Sequence, residues 1–137
     1  MTIVQWSDDY KTGEKEIDQE HWGLFALVND LSDKMSDGAP VKSIASTIDA
    51  LVAYVDVHFE HEERLMAEKG YPKLESHKQA HAALGKRVEE FHGAFQRNPE
   101  TFDFIALMDF LSTWLKQHIL NLDMDFAAFN ETLQSRD

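Results

Sequence analysis

Seven residues of this chain are of the types that hold metal ions: His21, His58, Glu62, His77, His81, His118 and Asp123. The five histidines and Glu62 fall where apolar residues otherwise recur at steps of three and four. An imidazole or a carboxylate facing a core loses its water and is costly unless something compensates it. A neighbour can satisfy one such group, and for any of these histidines alone that is the better reading. Six of them on the inward seams of four helices call for a shared partner, and a metal centre supplies one.

The spacing supports that chemistry. His58 and Glu62 are four residues apart, as are His77 and His81. Four residues return a helix to nearly the same face about one pitch further on. Each pair can therefore grip one centre from one wall. Asp123 follows His118 by five residues, which overshoots that face by roughly 140° on a regular helix. The spacing predicts a local widening there, and single π-turns of this kind often mark functional sites.

A structural zinc takes four ligands and a catalytic zinc three plus water, so seven candidates overfill one zinc. Imidazole with carboxylate suits iron, zinc, copper or nickel. Around two octahedral ions, five terminal imidazoles, two bridging carboxylates and a bridging oxygen fill every position but one. The open position would suit a small ligand such as O2.

Two rival motifs fail. His61-Glu62-Glu63-Arg64-Leu65 begins like a zinc-protease helix but has Leu65 where the second histidine should stand. Ferritin-like di-iron sites need two Glu-x-x-His pairs, and only Glu89 with His92 matches. His61 and His92 are expected at the surface with no metal role, and Glu63 is expected to be solvated.

The elements that position these residues are legible as four amphipathic stripes. They run Ile17, His21, Leu24, Val28, Leu31, Met35; then Ile44, Ile48, Leu51, Val55, His58, Glu62, Leu65. The third runs Leu74, His77, His81, Leu84, Val88, Phe91, Phe95, and the fourth Phe104, Leu107, Leu111, Trp114, His118, Leu122. Breaks fall at Asp37-Gly38-Ala39-Pro40, Gly70-Tyr71-Pro72 and Asn98-Pro99. Short connections make neighbours antiparallel, which predicts an all-α, up-down-up-down four-helix bundle. A single domain over 1–137 is expected, with an N-terminal arm over 1–17 and the bundle over 18–133. Asp18 and Ser43 are candidate caps, Pro40 and Pro72 suit the approach to a first turn, and Trp6 and Tyr10 are expected to anchor the arm by packing.

At 43% apolar and 28% charged residues, the 137-residue chain has enough apolar content to bury a core. It has no cysteine, which excludes disulfides, thiolate metal sites and cysteine nucleophiles. A net charge of −12 argues against binding nucleic acid or docking on an anionic membrane. The longest apolar run, Ala50 to Val55, is too short to span a bilayer. The first residues lack the basic and apolar regions of a secretory signal, so a soluble cytoplasmic protein is expected.

Taken together, these residues resemble the hemerythrin family over nearly the whole chain. The likeness includes Trp6, Tyr10 and Gly13, then Ile17-Asp18-Gln19-Glu20-His21 and His58-Phe59-Glu60-His61-Glu62-Glu63. It continues through Met66, Gly70-Tyr71-Pro72, His77 with His81, and Trp114-Leu115-Lys116-Gln117-His118 with Asp123. The resemblance implies two iron ions bridged by an oxo or hydroxo group and by Glu62 and Asp123. His77, His81 and His118 would hold the six-coordinate iron, and His21 and His58 the iron with the vacancy. It further implies reversible O2 binding beside an apolar pocket of Leu24, Phe59, Trp114, Leu115 and Ile119. The role would be carriage rather than catalysis: O2 transport, storage or delivery to an O2-consuming enzyme. The alternatives are a di-iron enzyme acting on iron, peroxide or nitric oxide, and an iron or O2 sensor.

Overall fold

The computed structural model describes residues 4–134, so Met1 to Ile3 of the expected arm lie outside the described residues. The main elements are α1 (Lys15–Ser36), α2 (Val41–Glu68), α3 (Leu74–Arg97), α4 (Phe104–Gln117) and α5 (Met124–Gln134). A π-helical segment, His118–Asp123, joins α4 to α5. Its flanking residues keep right-handed helical dihedrals, so α4, the π segment and α5 form one interrupted rod. That rod is the fourth member of a four-helix bundle, and the described residues contain no strand.

The connections are short for the reasons legible in the sequence. Gly38 and Gly70 close α1 and α2 with φ of +67° and +69°, a left-handed conformation that a Cβ disfavours. Pro40 stands immediately before α2. Ser43 is inside the first turn of α2 rather than capping it, and its backbone N–H donates to the Pro40 carbonyl at 2.9 Å. Asp103 caps α4 by accepting from the Ala106 N–H at 3.0 Å.

Asp18 does not cap α1, which begins three residues earlier. Its carboxylate accepts from the Thr12 backbone N–H and hydroxyl, both at 2.8 Å, and so ties the arm to the first turns of the helix. The arm is also fixed by the Asn29 amide, which accepts from Val4 N–H at 3.1 Å and donates to its carbonyl at 2.8 Å. Trp6 stacks on Tyr10, and both meet Phe25 of α1 edge-on. The arm is thus anchored by aromatic packing, as its composition suggested.

The main core is built from the four stripes: Leu24, Val28 and Leu31 of α1, Ile48, Leu51 and Val55 of α2, Phe91 and Phe95 of α3, and Leu107, Leu111 and Leu115 of the fourth rod. It fills the bundle on one side of the histidines. A smaller cluster of Met66, Tyr71 and Phe126 is distinct from it.

One glycine reports a close approach of α1 and α2. A Cβ on Gly23 would lie 2.2 Å from the Tyr54 hydroxyl, which donates to the Glu20 carbonyl at 3.0 Å. Gly23→Ala must therefore displace Tyr54 and break that bond. The expected cost is about 1–3 kcal/mol, seen as a lower melting temperature, and Tyr54→Phe in the Gly23→Ala background should add little further loss.

Candidate metal centre

All five seam histidines and both acids are buried: His21 1%, His58 2%, Glu62 1%, His77 3%, His81 3%, His118 7% and Asp123 1% exposed. α1 supplies His21, α2 His58 and Glu62, α3 His77 and His81, and the π segment His118 and Asp123. The π segment spans the five-residue step at which a widening was expected. Its wider turn lets His118 and Asp123 share one face, with His118 Nε2 3.2 Å from Asp123 Oδ1.

Glu62 lies at the middle of the cluster. Its Oε1 is 2.8 Å from His77 Nε2 and 3.2 Å from His81 Nε2, and its Oε2 is 3.4 Å from the Nε2 atoms of both His21 and His58. Asp123 faces the same space, with Oδ1 3.2 Å from His77 and Oδ2 3.1 Å from His21. The donor atoms form two groups that share Glu62. One comprises Glu62, His77, His81, His118 and Asp123, and the other His21, His58 and Glu62. A three-histidine end and a two-histidine end are thus built into the bundle.

The donor set fits cations. His21 Nε2, Glu62 Oε2 and both Asp123 oxygens are buried without a hydrogen-bond partner although they converge. Buried polar atoms without partners are rare, and a bound ion is one of the recognised explanations. Two carboxylates and neutral imidazoles, buried together, suit divalent first-row metals.

The electrostatics agree. Burial alone would push the His21 imidazole down, but the Asp123 and Glu62 carboxylates facing it raise it to about 10. His77 is raised to about 9 by the same two acids against the same burial. Burial pushes the Asp123 carboxyl up, and so does the Glu62 charge, yet the His118, His21 and His77 imidazoles facing it hold it down at about 2. Burial likewise opposes ionisation of Glu62, and its four histidines outweigh it, so Glu62 stays well below the ordinary carboxylate range.

A metal ion must displace the protons that raised histidines retain at neutral pH. Lowering the pH strengthens the competing protons, so metal affinity should fall by about tenfold per pH unit for each proton displaced. Anaerobic Fe(II) titrations between pH 8 and pH 6 in several buffers would count those protons. At least two are expected, one each from His21 and His77.

Two acids outside the seams complete the site. His58 Nδ1 is 2.6 Å from Glu20 Oε1, and His81 Nδ1 is 2.7 Å from Glu63 Oε2. Glu63, expected in solvent, is thus a partner of a buried histidine. His61 is not fully exposed either: its Nδ1 meets the second Glu20 oxygen at 2.5 Å, and its Nε2 is 3.3 Å from Glu16. His92 is at the other end of α3 from His77, paired with Asp49 at 2.8 Å, and neither it nor His61 belongs to the donor groups.

Leu24, Phe59, Trp114, Leu115 and Ile119 line a recess together with His21, His58, His118 and Asp123. Phe59 also lies flat on the His81 ring, with centroids 3.8 Å apart and planes 4° apart. The recess therefore meets both donor groups, His21 and His58 of the smaller and His118 and Asp123 of the larger.

Residues 12–129 match the model of the Hemerythrin HHE cation binding domain. A bacteriohemerythrin of Pseudomonas aeruginosa is 36% identical over 127 residues, covering 93% of this chain and 81% of that protein. A myohemerythrin of Theromyzon tessulatum is 30% identical over 124 residues, covering 90% of this chain and 91% of its own. A crystal structure of a hemerythrin variant superposes with a TM-score of 0.86 at 28% identity, covering 93% of this chain and 97% of the other.

Proposed function

This chain belongs to the hemerythrin family, and from that premise we propose that it binds O2 reversibly at a non-haem di-iron centre. The observation that carries the reading is the division of seven buried donors into a three-histidine end and a two-histidine end around Glu62. His77, His81 and His118 would hold one iron, His21 and His58 the other, and Glu62 and Asp123 would bridge them with an oxo or hydroxo group. Such a centre supplies two electrons and one open coordination position for O2.

The protein's own residues account for reversibility. Five neutral imidazoles bring no negative charge, so the site holds its metals with only two carboxylates. Leu24, Leu115 and Ile119 are at most 2% exposed and offer no hydrogen bond at the recess wall. Phe59 and Trp114 close the wall between them with an edge-on contact at 5.8 Å. Excluding water there limits the side reactions that would leave the centre oxidised.

Carriage of O2 in the cytoplasm, for storage or delivery to an O2-consuming enzyme, is the role we assign. No helix among the described residues is long and apolar enough to cross a membrane. The test is an O2 titration of iron-loaded, reduced protein, followed by its visible charge-transfer band. The band should grow to one O2 per two irons and fade when O2 is withdrawn. Repeated O2 consumption with a supplied reductant would instead establish an enzyme.

A further inference from the structure

We propose that Glu20 and Glu63 are matched positioning residues, one for each metal ion, that hold His58 and His81 with Nε2 turned to the centre. The inference rests on the metal-centre reading and adds to it residues outside the donor set.

A carboxylate has only acceptors to offer, so the imidazole nitrogen that meets one carries the hydrogen. His58 Nδ1 meets Glu20 at 2.6 Å and His81 Nδ1 meets Glu63 at 2.7 Å. With Nδ1 held by its acid, Nε2 is the nitrogen left to ligate a metal through its lone pair once the ion displaces any proton there, and in each ring Nε2 faces Glu62. The two pairs fall in different donor groups: His58 in the three-residue group and His81 in the five-residue group. Each end of the centre therefore has one histidine whose tautomer and ring angle are fixed from behind by an anion. Such a partner also makes the ligand nitrogen more basic, which strengthens its bond to a metal.

The two supports are built differently. Glu63 follows Glu62 on α2 and reaches across to α3. Glu20 precedes His21 on α1 and reaches across to α2, where it holds His61 as well as His58. Its backbone carbonyl accepts from Tyr54, so the stretch of α1 that presents Glu20 is itself clamped to α2. Both carboxylates have side chains 24% exposed, while their imidazole partners are buried.

Iron-loaded protein, held anaerobically with a chelator, should release its two ions in separable phases. Glu20→Gln and Glu63→Gln should each speed one phase by about 10- to 100-fold and leave the other within about threefold. The affected phases should differ between the two variants. Glu16→Gln, which alters only the outer neighbour of His61, should release both ions at the parent rate. In zinc-loaded protein, nitrogen-15 spectra should show His58 and His81 protonated at Nδ1. Metal on Nδ1 of either ring, or parent release rates in both Gln variants, would overturn the proposal while leaving the two-ion reading intact. A parent protein that binds fewer than two ions would overturn both.

Discussion

Glu62→Ala should empty the centre of both ions. Glu62 is the one residue common to the two donor groups, and its oxygens face His21, His58, His77 and His81. Its loss removes a ligand from each ion and half of the buried negative charge that holds them. Iron content should fall from two per chain to well under one. The metal-free protein should suffer too, because raised histidines would lose their counter-charge in a buried space. Removing one partner of a buried ion pair costs about 3–5 kcal/mol. His77→Ala is milder, since it strips one ligand from the five-residue group and should loosen mainly that ion. His92→Ala touches contacts with Asp49, Glu89 and Gln96, away from the donor groups, and should keep both irons. Metal analysis and melting curves of the three variants would check this ordering.

Stripping the metal from the intact protein should produce the second large effect. The donor side chains come from all four members of the bundle, so each bound ion would tie together segments far apart in sequence. An ion that binds only the folded state stabilises it by about 4 kcal/mol at a thousandfold excess over its dissociation constant. Two ions at that level correspond to a rise in melting temperature of at least about 15 °C for a domain of this size. Without metal the cluster is held by its own ion pairs. The sign of their pH dependence differs at the two ends. Asp123 has its carboxyl lowered, so its contribution is present above about 4 and is lost as the pH falls through about 2. His77 and His21 are raised, so theirs is full below about 6.5 and is lost as the pH rises through about 9 and 10. Metal-free protein should thus be most stable from weakly acidic to neutral pH, while metal-loaded protein loses its advantage in acid. Melting curves across pH with and without Fe(II) would separate the two.

The bundle was legible because its helices are amphipathic and its breaks fall at glycine and proline. The π segment was legible from an arithmetic conflict: His118 and Asp123 cannot share a face of a regular helix at five residues' spacing, so the helix had to yield. Glu63 was misread because it is off the seam, where a glutamate normally meets water. It instead reaches from α2 to the His81 ring on α3, a contact between helices that no periodicity within one helix reveals. Glu20 is likewise off the seam, and its reach from α1 to α2 is equally invisible to periodicity. The available signal was chemical: a ligating histidine needs an acceptor for its second nitrogen, and each acid adjoins a donor in sequence, Glu20 beside His21 and Glu63 beside Glu62. Asp18 was read as a cap because an acid near a helix start usually is one. Its bonds instead run backward to the arm at Thr12.

Anomalous diffraction at the iron edge from crystals of the metal-loaded protein tests the central claim most directly. Two peaks should appear within the cluster, one against His77, His81 and His118, the other against His21 and His58, with Glu62 and Asp123 between them. A single peak held by four of these side chains, or peaks outside the bundle, would contradict it.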